Sequence, residues 1–199
     1  MSILITTSRR PTRRTRSLCN DLARVIPGAV RINRGKLSLE GVALRAIELG
    51  ADRIILVSVY KGNPGKMHFF EVSSETFKRL GPDMLLAGVK LQRDLGIRSL
   101  RRHNSLGVVT TGSANNEIRK LADALGYILK SEVYVLDSME RAADLREEKG
   151  LELILKVEED RRSLAALSFY SLLNEKIVGP IIRVKKLFWE PKVLLIGET

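Results

Sequence analysis

The sequence predicts an α/β protein made of two similar α/β halves, in which helices cover mixed sheets. Two observations carry this prediction. Strand and helix periodicities alternate along the 199 residues, and motifs of the first half recur in order in the second. A hairpin signal within the first half adds antiparallel pairs to the parallel pairs of strand–helix–strand units, so we expect each sheet to be mixed.

Apolar periodicity and turn residues place the elements of the first half. Strands are predicted at residues 3–7, 29–32, 52–60, 67–72 and 84–91, helices at 12–26, 39–49 and 74–80, and a turn at 62–65. Pro11 suits the first turn of the helix at 12–26, since its missing N–H would have no partner there. Pro27 and Gly28 end that helix.

The second half repeats this order at an offset of 98 to 104 residues. Ile5-Thr6-Thr7-Ser8 recurs as Val109-Thr110-Thr111-Gly112, and Gly81-Pro82 recurs as Gly179-Pro180. Chance supplies one or two such matches, but an ordered series indicates an internal repeat. We therefore expect a single domain over residues 1–199, with an N-terminal half at 1–96 and a C-terminal half at 106–190.

Positive charge is concentrated at the N-terminus. The chain has 34 Lys and Arg against 23 Asp and Glu, a net charge of +11. Residues 1–36 hold nine of the cations and only one acid, Asp21. Residues 137–160 are the reverse, with nine acids and four cations. A surplus of this kind favours a polyanionic partner, either nucleic acid or an anionic membrane.

Several other classes of protein find little support. No apolar run approaches the roughly 18 residues of a spanning helix, so we expect no membrane association and a cytoplasmic protein. The single cysteine, Cys19, suits a reducing compartment and lies beside a predicted apolar helix face. The sequence has no phosphate-binding loop, and His68 and His103 are far apart. We therefore expect no enzyme, cofactor or metal site.

The candidate site lies where the first strand passes into the first helix. Helix starts normally favour acids, but Arg13, Arg14 and Arg16 occupy the first two turns here. The matching segment of the second half, residues 112–118, has no arginine. Scaffold positions recur and these arginines do not, so they indicate a function added to one copy. Planar guanidinium groups bind phosphate oxygens in a bidentate manner and stack on bases.

A second basic segment is predicted beside the first. Residues 31–35 follow a neighbouring strand, and parallel strand ends share one edge of a sheet. Aromatic residues are scarce; Tyr60 is expected in the core, while Phe188 and Trp189 are candidates for base stacking. The predicted nucleic-acid-binding residues are Thr7, Ser8, Arg9, Arg10, Arg13, Arg14, Arg16, Arg31, Asn33, Arg34, Lys36, Arg101 and Arg102.

Three motifs resemble the Brix-domain family of ribosome-assembly factors. They are residues 5–12 (ITTSRRPT), 22–27 (LARVIP) and 31–35 (RINRG). The resemblance covers about residues 2–189. The resemblance is strongest to the subfamily that acts on the precursor of the small ribosomal subunit. The chain is short, and in this it is similar to archaeal members. It implies two halves resembling the anticodon-binding domains of aminoacyl-tRNA synthetases. It also implies binding of ribosomal RNA or its precursor, a role in rRNA processing and subunit assembly, and no catalysis.

Three functions remain open at this point. The first is an rRNA-binding assembly factor, which contacts other ribosome-assembly proteins in some relatives. The second is a protein-interaction adaptor within a pre-ribosomal ribonucleoprotein, with residues 137–160 as its contact. The third is an RNA-processing enzyme. The sequence leaves the bound rRNA segment and the oligomeric state open, with a monomer favoured.

Overall fold

The computed structural model describes residues 2–98 and 101–190. Ten strands form one sheet. The strands are β1 (Ser2–Thr7), β2 (Ala29–Arg31), β3 (Ala51–Tyr60), β4 (Asn63–Val72), β5 (Phe77–Lys90), β6 (Leu106–Thr111), β7 (Val133–Leu136), β8 (Leu153–Asp160), β9 (Ser163–Ser171) and β10 (Lys176–Phe188). The α-helices are α1 (Arg13–Val25), α2 (Leu39–Glu48), α3 (Asn116–Leu129) and α4 (Asp144–Lys149), and two short 3₁₀ helices cover Gln92–Leu95 and Met139–Ala143.

The strand order is β2-β1-β3-β4-β5-β10-β9-β8-β6-β7. In the first half, β1 is parallel to β2 and β3, and β3, β4 and β5 are antiparallel neighbours. In the second half, β6 is parallel to β7 and β8, and β8, β9 and β10 are antiparallel neighbours. The predicted mixed α/β class is confirmed. We expected one sheet in each half, but the structure has a single sheet, because β5 and β10 pair in antiparallel fashion and join the halves.

The core is divided between the two faces of the sheet. Helices α1 and α3 share one large cluster, in which Leu22, Leu121 and the fully buried Phe69 take part. On the other face, α2 packs through Val42 in a second cluster and α4 through Leu145 in a third. Burial of each such side chain contributes roughly 1.5–3 kcal/mol. Among the described helices, none is long and apolar enough to cross a membrane.

The predicted helix at 74–80 is wrong. Strand β5 begins at Phe77, which pairs with Val72 of β4, and it continues through the segment predicted as a separate strand at 84–91. Ser73 forms the turn between them, since its hydroxyl accepts hydrogen bonds from the backbone N–H groups of Glu75 and Thr76. Pairing on both edges, with β4 and with β10, overrides the weak local preference for a helix.

Two local boundaries also differ from the prediction. The turn predicted at 62–65 is the two-residue turn of Lys61 and Gly62, and both residues have positive φ angles, +48° and +79°. Such turns match the twist of paired strands, so Pro64 belongs to β4. Pro11 precedes α1 rather than lying in its first turn. Thr12 is the N-cap, and its hydroxyl accepts a hydrogen bond from the Thr15 N–H.

Candidate nucleic-acid interface

The carboxyl ends of β1, β2 and β3 hold the candidate site at one edge of the sheet. The register pairs Ile5 with Arg31 of β2 and Thr7 with Val57 of β3. The Thr6 hydroxyl donates a hydrogen bond to the Ile32 carbonyl at 3.2 Å. These bonds place the loop after β1 beside the loop after β2, as the sequence predicts.

Four arginines in this region have no protein partner. Arg9 and Arg10 lie in the loop after β1, and Arg13 and Arg16 lie in the first two turns of α1. All four are exposed, and within the described residues none of them makes a hydrogen bond or an ion pair. The first turn of α1 contains no acid. These guanidinium groups are therefore available to an external anion.

The loop after β2 contributes further cations. Burial and the nearby charge of Arg9 lower the pKa of Arg34. The backbone N–H of Glu40, the Ser38 hydroxyl and both arginines together lower the pKa of the Glu40 carboxyl. Lys36 is exposed nearby in the same loop. We call the following set the N-terminal basic surface: Arg9, Arg10, Arg13, Arg16, Arg34 and Lys36.

Several predicted site residues have structural partners instead. Arg14 donates to the Asp94 carboxylate and to the Val89 carbonyl, each at 2.8 Å. The Arg31 guanidinium group donates a hydrogen bond to Asn33 Oδ1 at 2.7 Å, so the two side chains fix each other's orientation. Thr7 is only 2% exposed, and it therefore shapes the end of β1 without presenting its hydroxyl. The backbone of Ser8 donates to the Val57 carbonyl at 3.0 Å.

Arg101 and Arg102 lie apart from the other predicted residues. Arg102 lines a cavity of about 620 Å³ together with Arg24 and Arg98, near the C-terminal end of α1. Helix α1 has 13 residues and is therefore about 20 Å long, which separates this cavity from the arginines at its start. The predicted site thus divides into two basic surfaces. Sequence alone could not show this, because residues 101 and 102 follow a segment whose path the periodicity leaves open.

The aromatic predictions have mixed outcomes. Tyr60 is 61% exposed at the end of β3, so its expected place in the core is wrong. Trp189 packs against the large core cluster, with the Lys120 ammonium 4.3 Å from its ring centroid. Phe188 is half-buried, and Lys66 Nζ and Lys186 Nζ each lie 5.3 Å from its ring centroid.

The candidate nucleophile, Cys19, is unreactive, and the described residues hold no cluster of metal-ligating side chains. Cys19 is fully buried, and burial raises the pKa of its thiol to about 12, while the charge of Arg31 opposes the shift. A thiol of that pKa is protonated at neutral pH and a poor nucleophile. In the part of the chain that the structure describes, no group of three His, Cys, Asp or Glu side chains is placed to hold a metal ion.

Comparison with known proteins gives close relatives over nearly the full length. A probable Brix domain-containing ribosomal biogenesis protein from Pyrococcus abyssi is 34% identical over 187 residues, which cover 92% of this chain and 83% of that protein. A protein of the same description from Methanopyrus kandleri is 37% identical over 179 residues, 88% of this chain and 89% of the relative. No protein-family model matches the sequence.

Two solved structures share the fold. A probable ribosomal biogenesis protein from Aeropyrum pernix K1 aligns with a TM-score of 0.75 and 29% identity, covering 97% of this chain and 98% of the other. Mil, described as an archaeal Imp4-like protein, aligns with a TM-score of 0.62 and 20% identity, covering 94% of this chain and 99% of that one. At that identity, the second likeness concerns the fold alone.

Fold and surface together define an α/β protein with one continuous mixed sheet and a cluster of unpaired arginines at one sheet edge. The chain belongs to the family of Brix domain-containing ribosomal biogenesis proteins. The family predicted from the three sequence motifs is therefore confirmed, and the relatives are archaeal, as the resemblance implies. This membership supports a role in ribosome biogenesis. The similarity to the small-subunit-precursor subfamily stays a prediction.

Proposed function

We propose that this protein is a ribosome biogenesis factor that binds ribosomal RNA or its precursor through the N-terminal basic surface and assists rRNA processing and subunit assembly without catalysis. One observation carries the proposal. Arg9, Arg10, Arg13 and Arg16 are exposed near the carboxyl end of β1 and, among the described residues, their side chains make no hydrogen bond or ion pair; Arg9 alone acts on an acid, Glu40, through its charge. Because these charges form no hydrogen bond or ion pair within the described part of the protein, we infer that they bind a polyanion.

Arginine is well suited to a phosphate backbone. Its planar guanidinium group donates to two phosphate oxygens at once, and such charge-assisted bonds are about twice as strong as neutral ones. Arg13 and Arg16 also lie at the start of α1, where unpaired N–H groups add positive potential. Phosphate contacts position an RNA but carry little sequence information. The surface therefore supports recognition of RNA shape and charge.

The acidic segment gives less support to a protein-interaction adaptor. Arg141 pairs with both Asp137 and Asp144, at 3.2 and 3.4 Å. Glu159 accepts a hydrogen bond from the backbone N–H of Asn115 at 2.9 Å, and Asp160 accepts one from the Ser163 hydroxyl at 2.5 Å. These four of its nine acids have partners within the protein, which leaves fewer free carboxylates for a partner protein. A location in the cytoplasm agrees with the single reduced cysteine, Cys19.

Replacement of the four unpaired arginines tests the proposal. The variant carries Arg9→Ala, Arg10→Ala, Arg13→Ala and Arg16→Ala, and the measurement is its dissociation constant for transcribed precursor-rRNA fragments. We expect a loss of affinity of about 100-fold or more at low salt, because each lost phosphate contact is worth roughly 1 kcal/mol. The melting temperature should change little, since none of these side chains has a partner in the described structure.

A matched control removes the same charge elsewhere. Four exposed cations outside both basic surfaces serve this purpose: Lys78, Arg146, Lys149 and Lys176. If their replacement by alanine weakens rRNA binding as much as the arginine variant does, net charge alone explains the binding and the surface proposal fails. Incubation of the wild-type protein with precursor rRNA and Mg²⁺ tests the non-catalytic part, and specific cleavage would contradict it.

A further inference from the structure

Two open cavities adjoin across the middle of the sheet, where β4, β5 and β10 lie side by side. Their volumes are about 980 and 400 Å³, and both are lined by Ala87, Gly88 and Arg162. A Cβ atom added to Gly88 would meet nothing within 4 Å, which shows how much room the strand leaves there. We call the two cavities together the central groove.

Cations surround the central groove. Among the described residues, no aspartate or glutamate lines either cavity. The basic side chains that line it from strands and turns are Lys61, Lys66, Lys90, Arg162, Arg183 and Lys185. Arg183 has a distant acidic partner, Asp160, at 3.8 Å. A recess lined by charges of one sign concentrates electrostatic potential and attracts a polyanion.

Two aromatic rings line the central groove beside these cations. Tyr60 lies at the end of β3 with its side chain largely in solvent, and Lys61 Nζ is 5.6 Å from its ring centroid. Phe188 lies near the end of β10 beneath two lysine ammonium groups. Both rings line the larger cavity. Aromatic residues alternating with cations are typical of grooves that bind single-stranded nucleic acid.

We propose that the central groove binds a single-stranded segment of RNA, with unpaired bases stacked on Tyr60 and Phe188 and phosphates held by the surrounding cations. Bases in a duplex are stacked on one another and offer no free face to a protein ring, whereas bases in loops and tails do. An acidic peptide would satisfy the lysines and arginines alone. The exposed ring of Tyr60 and the half-buried ring of Phe188 can stack on an occupant that carries bases, which a purely acidic peptide does not offer.

The inference deepens the proposed function and rests on it for the identity of the polyanion. Arg14 lines the larger cavity and lies in the first turn of α1, next to Arg13 of the N-terminal basic surface. The two surfaces therefore adjoin, and one RNA can contact both. A structured region would lie on the N-terminal basic surface while an adjoining unpaired stretch enters the central groove.

Binding of a labelled oligouridine of about 12 nucleotides to the full-length protein tests the inference, since single OB folds cover about 4–16 nucleotides. We expect Tyr60→Ala to weaken this binding by at least about fivefold, the loss of one base–aromatic stack. Tyr127→Ala is the control, because Tyr127 is 54% exposed on α3 and lines neither cavity. Tyr127 also contacts Glu71 and Arg53, so both variants are compared at a temperature where thermal denaturation shows them folded. Equal effects of the two replacements would overturn the inference.

A pair of charge reversals provides a second readout. Arg161 and Arg162 are both exposed in the turn between β8 and β9, but only Arg162 lines the groove. Arg162→Glu and Arg161→Glu change the net charge equally, so a larger loss of oligouridine affinity in Arg162→Glu supports the groove. Equal losses would indicate a diffuse attraction and overturn it.

Two further outcomes separate this inference from the proposed function. A protein that binds folded rRNA but not oligouridine would overturn the groove inference and leave the N-terminal basic surface intact. If oligoglutamate displaces the oligouridine equally well from wild type and from Tyr60→Ala, the groove suits an acidic protein segment and the inference is wrong. Loss of oligouridine binding in Tyr60→Ala alongside unchanged rRNA binding in the four-arginine variant would overturn only the proposed role of the N-terminal basic surface.

Discussion

The Arg14 guanidinium group lies 2.8 Å from the Asp94 carboxylate, 80 residues further along the chain. The hydrogen bond from the Leu91 N–H, together with the hydrogen bond and charge of Arg14, lowers the pKa of Asp94, so this carboxylate is ionised at neutral pH. Through it, the first turn of α1 is fixed to the segment that follows β5. Arg14 thus belongs to the scaffold, although it stands among arginines that have no protein partner.

Replacement of Arg14 should separate these two roles. Arg14→Ala removes a partly exposed ion pair and a hydrogen bond to the Val89 carbonyl, and we expect it to lower the free energy of unfolding by about 1–2 kcal/mol. Arg13→Ala should change it by less than about 0.5 kcal/mol. Urea denaturation of both variants measures the difference. A cycle with Asp94→Ala gives the coupling energy, and additive effects would contradict the pairing.

The salt dependence of rRNA binding should indicate how many phosphate contacts the N-terminal basic surface makes. The logarithm of the rRNA association constant falls linearly with the logarithm of salt concentration, with a slope of about −0.7 to −0.9 per contact. Replacement of Arg9, Arg10, Arg13 and Arg16 by alanine should therefore reduce the steepness by about 3. A titration from low to moderate salt measures both slopes. Parallel lines for wild type and variant would show that these arginines do not touch phosphate.

His103 should make stability depend on pH. Burial lowers its pKa below the ordinary value of 6.5; the charge of Glu152 opposes this shift and that of Arg101 adds to it. Because the unfolded chain protonates first, the free energy of unfolding should decrease as pH falls from about 7 through 6.5 towards the folded pKa. His103→Gln, which can keep the hydrogen bond to Ser171, should show a smaller decrease between pH 7.5 and 5.5. Equal decreases in urea denaturation would contradict the assignment.

Gly179 should tolerate no side chain. An added Cβ atom would lie 2.6 Å from Phe169 Cβ and 2.8 Å from Phe169 Cδ2, and Phe169 is buried. We expect Gly179→Ala to cost about 1–3 kcal/mol of stability through overpacking. Gly112→Ala is a suitable control, since the nearest atom to its added Cβ would be 3.8 Å away. Thermal denaturation that shifts equally for both variants would refute the argument.

The elements that the sequence predicts well are those with a strong local signal. Helix α1 has Leu18 and Leu22 on one face and Pro27 and Gly28 after its end, and its predicted bounds differ from the observed ones by one residue on each side. The loop holding Arg9 and Arg10 was placed correctly because parallel strands end at a shared edge. These features depend on residues close together in the chain.

What the sequence does not reveal depends on distant contacts. The partner of Arg14 is 80 residues away, so nothing near Arg14 marks it as structural. Tyr60 ends an apolar strand and looks like a core residue, yet β3 extends beyond its pairing with β1 and the Tyr60 ring lies in solvent. The separation of Arg102 from Arg13 along α1 appears only once the chain is folded.

The seam between β5 and β10 has a consequence for how the chain can be divided. Within the single sheet, β5 pairs with β4 along one edge and β10 pairs with β9, and their other edges are hydrogen-bonded only to each other, from Asp83 opposite Phe188 to Lys90 opposite Ile181. If either half were released by proteolysis or expressed as a fragment, it would expose a row of unpaired backbone N–H and C=O groups. Such a fragment should pair with a second copy of itself or precipitate, so the two halves have to be made and kept as one molecule.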